Sequence, residues 1–120
     1  MTTTNNRKHP RFGSLNLLSY VCVDENNNIV KQGMGRTLNV SEGGILLETH
    51  IPIDSQYTVS LTIGLEDDLM TDINGKVIYS KAGEVGRFES GIEFEEGSEA
   101  ALQILREYIK AFEEHKNEKG

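Results

Sequence analysis

The alternation of apolar and polar side chains along this chain is mostly that of β-strands. Tyr57, Val59, Leu61 and Ile63 alternate with Thr58, Ser60 and Thr62, so an extended segment here buries one face and wets the other. Leu15–Val23 combines partial alternation with β-branched and aromatic residues, and stops at the turn-rich run Asp24-Glu-Asn-Asn-Asn28. Ile29–Val40 follows, with Gly33 and Gly35 inside it, which suggests a bend or bulge at the glycines. Gly44–Thr49 is short and apolar, and Pro52 interrupts pairing after it. Asp72–Tyr79 and Val85–Phe94, joined by Ser80-Lys-Ala-Gly-Glu84, complete about six strands. Short strands with frequent turn signals predict a mostly β protein, an antiparallel barrel or a small sandwich.

A single segment has the helical period. Ala101, Leu102, Leu105, Tyr108, Ile109 and Phe112 fall on one stripe, Ser98 is placed to cap it, and Glu99 suits the positive end of the helix dipole. The spacing predicts a helix over 98–115 whose stripe lies on the barrel or forms a dimer seam, followed by a frayed tail at 116–120. Ahead of the first strand, residues 1–13 read as a flexible arm, with the barrel over 14–97.

Composition narrows the classes of function. At 120 residues the chain is one domain's length. Its 12 Lys and Arg against 19 Asp and Glu give a formal charge of -7, which argues against DNA, RNA or anionic membranes as partners. No apolar run approaches a membrane span, and no signal peptide is visible. One cysteine, Cys22, excludes an internal disulfide and a cysteine-based zinc site, and reads as a small buried apolar residue. The expectation is a reduced, cytoplasmic domain, either a monomer or a weak homodimer. The charge is uneven, however: residues 1–40 carry +3 and the remainder -10, so a local anion site is compatible with an acidic protein.

Catalytic chemistry has little support. His9, His50 and His115 are scattered without metal-ligand spacing, and the acidic turn Glu66-Asp67-Asp68 and the group Glu93, Glu95, Glu96 read as solvated carboxylates. The expectation is no enzyme, no metal and no cofactor.

Two segments do carry chemistry. Arg7-Lys8-His9-Pro10-Arg11 places two arginines four apart around a proline that disfavours a regular helix. Guanidinium groups bind phosphate bidentately, stack on bases and match the O6/N7 edge of guanine. Asn39-Val40-Ser41-Glu42-Gly43-Gly44, between two strands, offers an amide for a base edge, a hydroxyl for a phosphate, and glycines for close backbone approach or positive φ.

In this order and separation, with Gly91-Ile92-Glu93-Phe94 downstream, the chain resembles the PilZ family, whose signature is Arg-x-x-x-Arg followed by (Asp/Asn)-x-Ser-x-x-Gly. The resemblance runs from about Asn6 to Phe94. It implies a six-stranded antiparallel PilZ-type β-barrel with a C-terminal helix, acting as a bacterial receptor for cyclic di-GMP. It assigns Arg7 and Arg11 to guanine edges and phosphates, assisted by Lys8, Asn39 to the Watson–Crick side of guanine, Ser41 to a phosphate, and Gly43 and Gly44 to the turn. Tyr79 reads either as a guanine-stacking residue or as an ordinary aromatic of the barrel face. Asn39 replaces the aspartate often found there, and Asn6 stands where many members carry a further arginine. The implied output is relay to a downstream protein by ordering of the arm; the alternative is a degenerate interaction module that binds no nucleotide.

Overall fold

The computed structural model describes residues 17–55, 57–64 and 70–119, with side chains as far as 114. Six strands, β1 (Leu17–Val23), β2 (Ile29–Val40), β3 (Gly44–Thr49), β4 (Thr58–Gly64), β5 (Met70–Ala82) and β6 (Phe88–Phe94), are followed by helix α1 (Glu99–Lys119). All neighbours are antiparallel, and the order β1-β2-β3-β6-β5-β4 closes into a barrel because β4 pairs back onto β1. A closed barrel of alternating strands gives every inward side chain a place in one core. Val59, Leu61 and Ile63 are fully enclosed there, as their alternation predicts. Cys22 lies among them with no exposed surface, and burial pushes its thiol up to about 11.

Both barrel ends are stoppered. Ile53, in the connection between β3 and β4, is 1% exposed, and Lys31 on β2 donates to the Pro52 carbonyl at 2.7 Å to hold that connection. At the other end α1 inserts Leu105, Tyr108 and Phe112 into the same apolar cluster as Val40, Ile63 and Ile73. Its stripe is therefore barrel core. The Tyr108 hydroxyl shares a buried hydrogen bond of 2.9 Å with Thr37 Oγ1, which satisfies both polar groups. Ser98 caps α1 through Oγ, accepting from the Ala101 N–H at 3.0 Å.

Several boundaries differ from those read in the sequence. The helix continues to Lys119, since Glu, His, Lys and Asn after Phe112 include no Pro or Gly to stop it before Gly120. β5 extends to Ala82, and the turn to β6 is built at 83–87, where Gly86 has φ 79° and the Gly83 N–H donates to Arg87 O. The irregularities in β2 are at Val30, against β1, and at Leu38, against β3, and not at its glycines. Gly35 is there for space: a Cβ on it would meet Leu47 at 2.9 Å.

Candidate functional site

Two bulges decide what the outer face of the barrel displays. In β2, Gly35 and Thr37 point inward, and strict alternation would send Asn39 inward as well. The register skips Leu38, so Val40 takes the inward place and Asn39 faces out. In β5 the register skips Ile78 after the buried Val77, which turns Tyr79 outward, 45% exposed. The pairings then align Asn39, Leu46, Gly91 and Tyr79 in one row across β2, β3, β6 and β5. Directly beside it on the inner face run Val40, Ile45, Ile92 and Val77, all buried.

The outer row floors a shallow cleft of about 290 Å³, whose rim is the turn from Ser41 to Gly44. The turn closes when the Ser41 N–H donates to Gly44 O at 2.8 Å, and β6 anchors it through the Phe94 N–H, which donates to Gly43 O at 2.9 Å. Ser41 Oγ accepts from the Gly43 N–H at 3.3 Å, and Asn39 Oδ1 accepts from the Val40 N–H at 3.0 Å. The Asn39 amide keeps its NH₂ donors and the second lone pair of Oδ1 as further hydrogen-bonding groups. Gly44 is demanded by close approach, because a Cβ there would collide with the Ile92 carbonyl oxygen. At Gly43 a Cβ would find open room, and neither glycine has positive φ.

Of the residues singled out in the sequence, Asn39, Ser41, Gly43, Gly44 and Tyr79 all line this cleft. Arg7, Lys8 and Arg11 lie outside the described residues, as does the acidic turn Glu66-Asp67-Asp68. The floor residues Leu46 and Gly91 were not foreseen as lining. Three consecutive apolar residues at Val77-Ile78-Tyr79, against the period of a strand, were the available signal of a bulge.

A family model described as PilZ domain matches residues 5–111. The chain belongs to the PilZ domain family. The match takes in the Arg7–Arg11 segment, the Asn39–Gly44 turn and most of α1. No curated protein matches. Among solved structures, the PilZ barrel is similar to K. pneumonia MrkH in its apo state, with TM-score 0.56 and 12% identity over 86% of this chain and 50% of that one. A second crystal structure of K. pneumonia MrkH gives TM-score 0.55 and 12% identity, over 86% of this chain and 48% of that one. The PilZ chain thus spans about half the length of these proteins, and the likeness is one of fold. Among the described residues no helix is long and apolar enough to cross a membrane.

One further group lies on the same outer face of the PilZ barrel, in a separate recess. Two positions further along β3 from Leu46, Glu48 is only 8% exposed and binds Arg36 Nε at 3.0 Å and Arg87 Nη1 at 3.5 Å through the same Oε1. The bond from Arg36 holds the Glu48 carboxyl below its ordinary value, against the opposing effect of burial, with Arg87 and His50 adding attraction.

Proposed function

We propose that this PilZ domain is a bacterial, cytoplasmic receptor that binds cyclic di-GMP in the Asn39–Tyr79 cleft and relays binding to a downstream protein. The observation that carries this reading is the convergence of the turn residues Asn39, Ser41 and Gly44 with the outward ring of Tyr79 in one cleft. A half-exposed phenol ring offers a stacking face for a base. Asn39 and Ser41 offer hydrogen-bonding groups for a guanine edge and a phosphate oxygen.

The cations come from the arm. Among the described residues that line the cleft, Glu93 is the one charged side chain, so a dianionic ligand needs Arg7 and Arg11, with Lys8. The topology favours their approach. β1 is antiparallel to β2 with Leu17 opposite Arg36, so β1 begins on the side of the barrel that carries Asn39 and Ser41. Arg11 stands six residues before Leu17, a stretch that spans at most about 20 Å. Ordering of this arm over bound nucleotide would change the surface offered to the partner. No step of this reading is catalytic, and nucleic acid has no part in it.

Amide spectra recorded during titration with cyclic di-GMP test the site. The reading expects shifts concentrated at Asn39, Ser41, Gly43, Gly91 and Tyr79. Shifts confined to α1 or to the Ile53 end of the barrel would contradict it, and no shifts at high ligand concentration would favour the nucleotide-free interaction module.

A further inference from the structure

We infer that Arg36 and Arg87, held by the buried Glu48 carboxylate, form a shelf that binds a phosphodiester of the ligand on the side of the cleft away from the Ser41 turn. This rests on the reading of the cleft as a cyclic di-GMP site. On the outer face, Arg36, Glu48 and Glu89 make a row parallel to the Asn39–Leu46–Gly91–Tyr79 row. Two residues of strand separate the rows, about 7 Å, which is within the breadth of one cyclic dinucleotide. Both guanidiniums converge on Glu48 Oε1, and Arg36 uses only Nε for that bond, so its two Nη groups remain as a fork. Their side chains are 48% and 42% exposed while the carboxylate beneath is enclosed. Preorganised forks of this kind recognise phosphate by geometry.

The shelf has its own recess of about 190 Å³, lined also by Leu17, Met34 and His50. Net charge does not drive the binding. Glu84 acts on Arg36 from the β5–β6 turn, and Glu89 is the cross-strand neighbour of both Glu48 and Lys81, so acids and bases nearly balance. The guanidinium fork supplies the affinity, which distinguishes this proposal from simple electrostatic attraction.

Titrating cyclic di-GMP into the wild-type protein, Arg87→Gln and Arg36→Lys at two salt concentrations tests the shelf, with thermal unfolding recorded for each. Arg87→Gln leaves the Arg36–Glu48 bond in place, and Arg36→Lys keeps the charge while removing the fork. The shelf predicts about tenfold weaker binding for each variant, as for loss of a charged hydrogen bond, and a flatter salt dependence for Arg87→Gln alone. Binding within twofold of wild type by both folded variants overturns the shelf and leaves the cleft standing. Failure of the wild-type protein to bind overturns the cleft, and the shelf with it.

Discussion

The ring of Tyr79 on β5 lies against the backbone of Gly91 on β6, in the space that a Cβ on residue 91 would occupy. Gly91 thus seats the aromatic at the cleft floor, and the bulge at Ile78 brings it there. A Cβ would strike the ring, which is half-exposed and free to swing outward. Gly91→Ala should therefore leave the unfolding midpoint nearly unchanged while displacing Tyr79 and weakening nucleotide binding. Gly44→Ala is the contrast. Its Cβ meets the Ile92 carbonyl, which cannot move without the sheet, so a loss of about 1–3 kcal/mol of stability is expected. Denaturant unfolding of the two variants checks the pair; equal losses would contradict the seating role of Gly91.

Glu48 makes stability depend on pH. Its carboxyl is held below the ordinary 4.5, chiefly by the hydrogen bond from Arg36. A depressed folded-state value means the contribution is fully present above about pH 4.5 and is lost as pH falls through the folded value. Glu48→Gln should cost on the order of 1 kcal/mol at pH 7, and the gap to wild type should narrow in acid. Unfolding curves at pH 7 and pH 3 measure it; a gap that widens in acid would contradict the ion-pair assignment.

Cys22 has no exposed surface and a thiol pushed up to about 11 by burial. It should resist a disulfide reagent at pH 8 in the folded protein and react fully in denaturant. Rapid reaction of the native protein would contradict its place in the core.

Much of this architecture was legible from local pattern. The Tyr57–Ile63 alternation predicts the inward row of β4, and the Ala101–Phe112 stripe predicts the buried face of α1. What escaped depends on pairing across the barrel. The bulges at Leu38 and Ile78 are defined by register against β3 and β6, so glycine content pointed to the wrong place in β2. Arg36, Glu48 and Arg87 are far apart in sequence and meet only because β2, β3 and the start of β6 lie side by side. The Asn39, Ser41, Gly44 set was readable because it is one local turn.

Position 39 separates two modes of recognition. Asn39 Oδ1 is engaged by the Val40 N–H, so a carboxylate at this site would keep that bond and present a second oxygen to guanine N–H donors. The ligand phosphates oppose the added charge, but screening over about 8 Å at physiological salt limits that repulsion. Asn39→Asp should bind cyclic di-GMP as well as wild type or more tightly, and Asn39→Ala clearly less well. Titrations of the three proteins at one salt concentration check this; strong weakening by Asp with little effect of Ala would contradict the guanine-facing pose.

Calorimetric titration of cyclic di-GMP into the wild-type chain and into Arg7→Ala and Arg11→Ala tests the central claim most directly. The account predicts measurable binding by the wild-type protein and a loss of about 2–3 kcal/mol for each arginine removed. The unfolding midpoint should stay unchanged, because both residues precede β1. Absence of binding heat from the folded wild-type protein, or equal affinity in all three proteins, would contradict it.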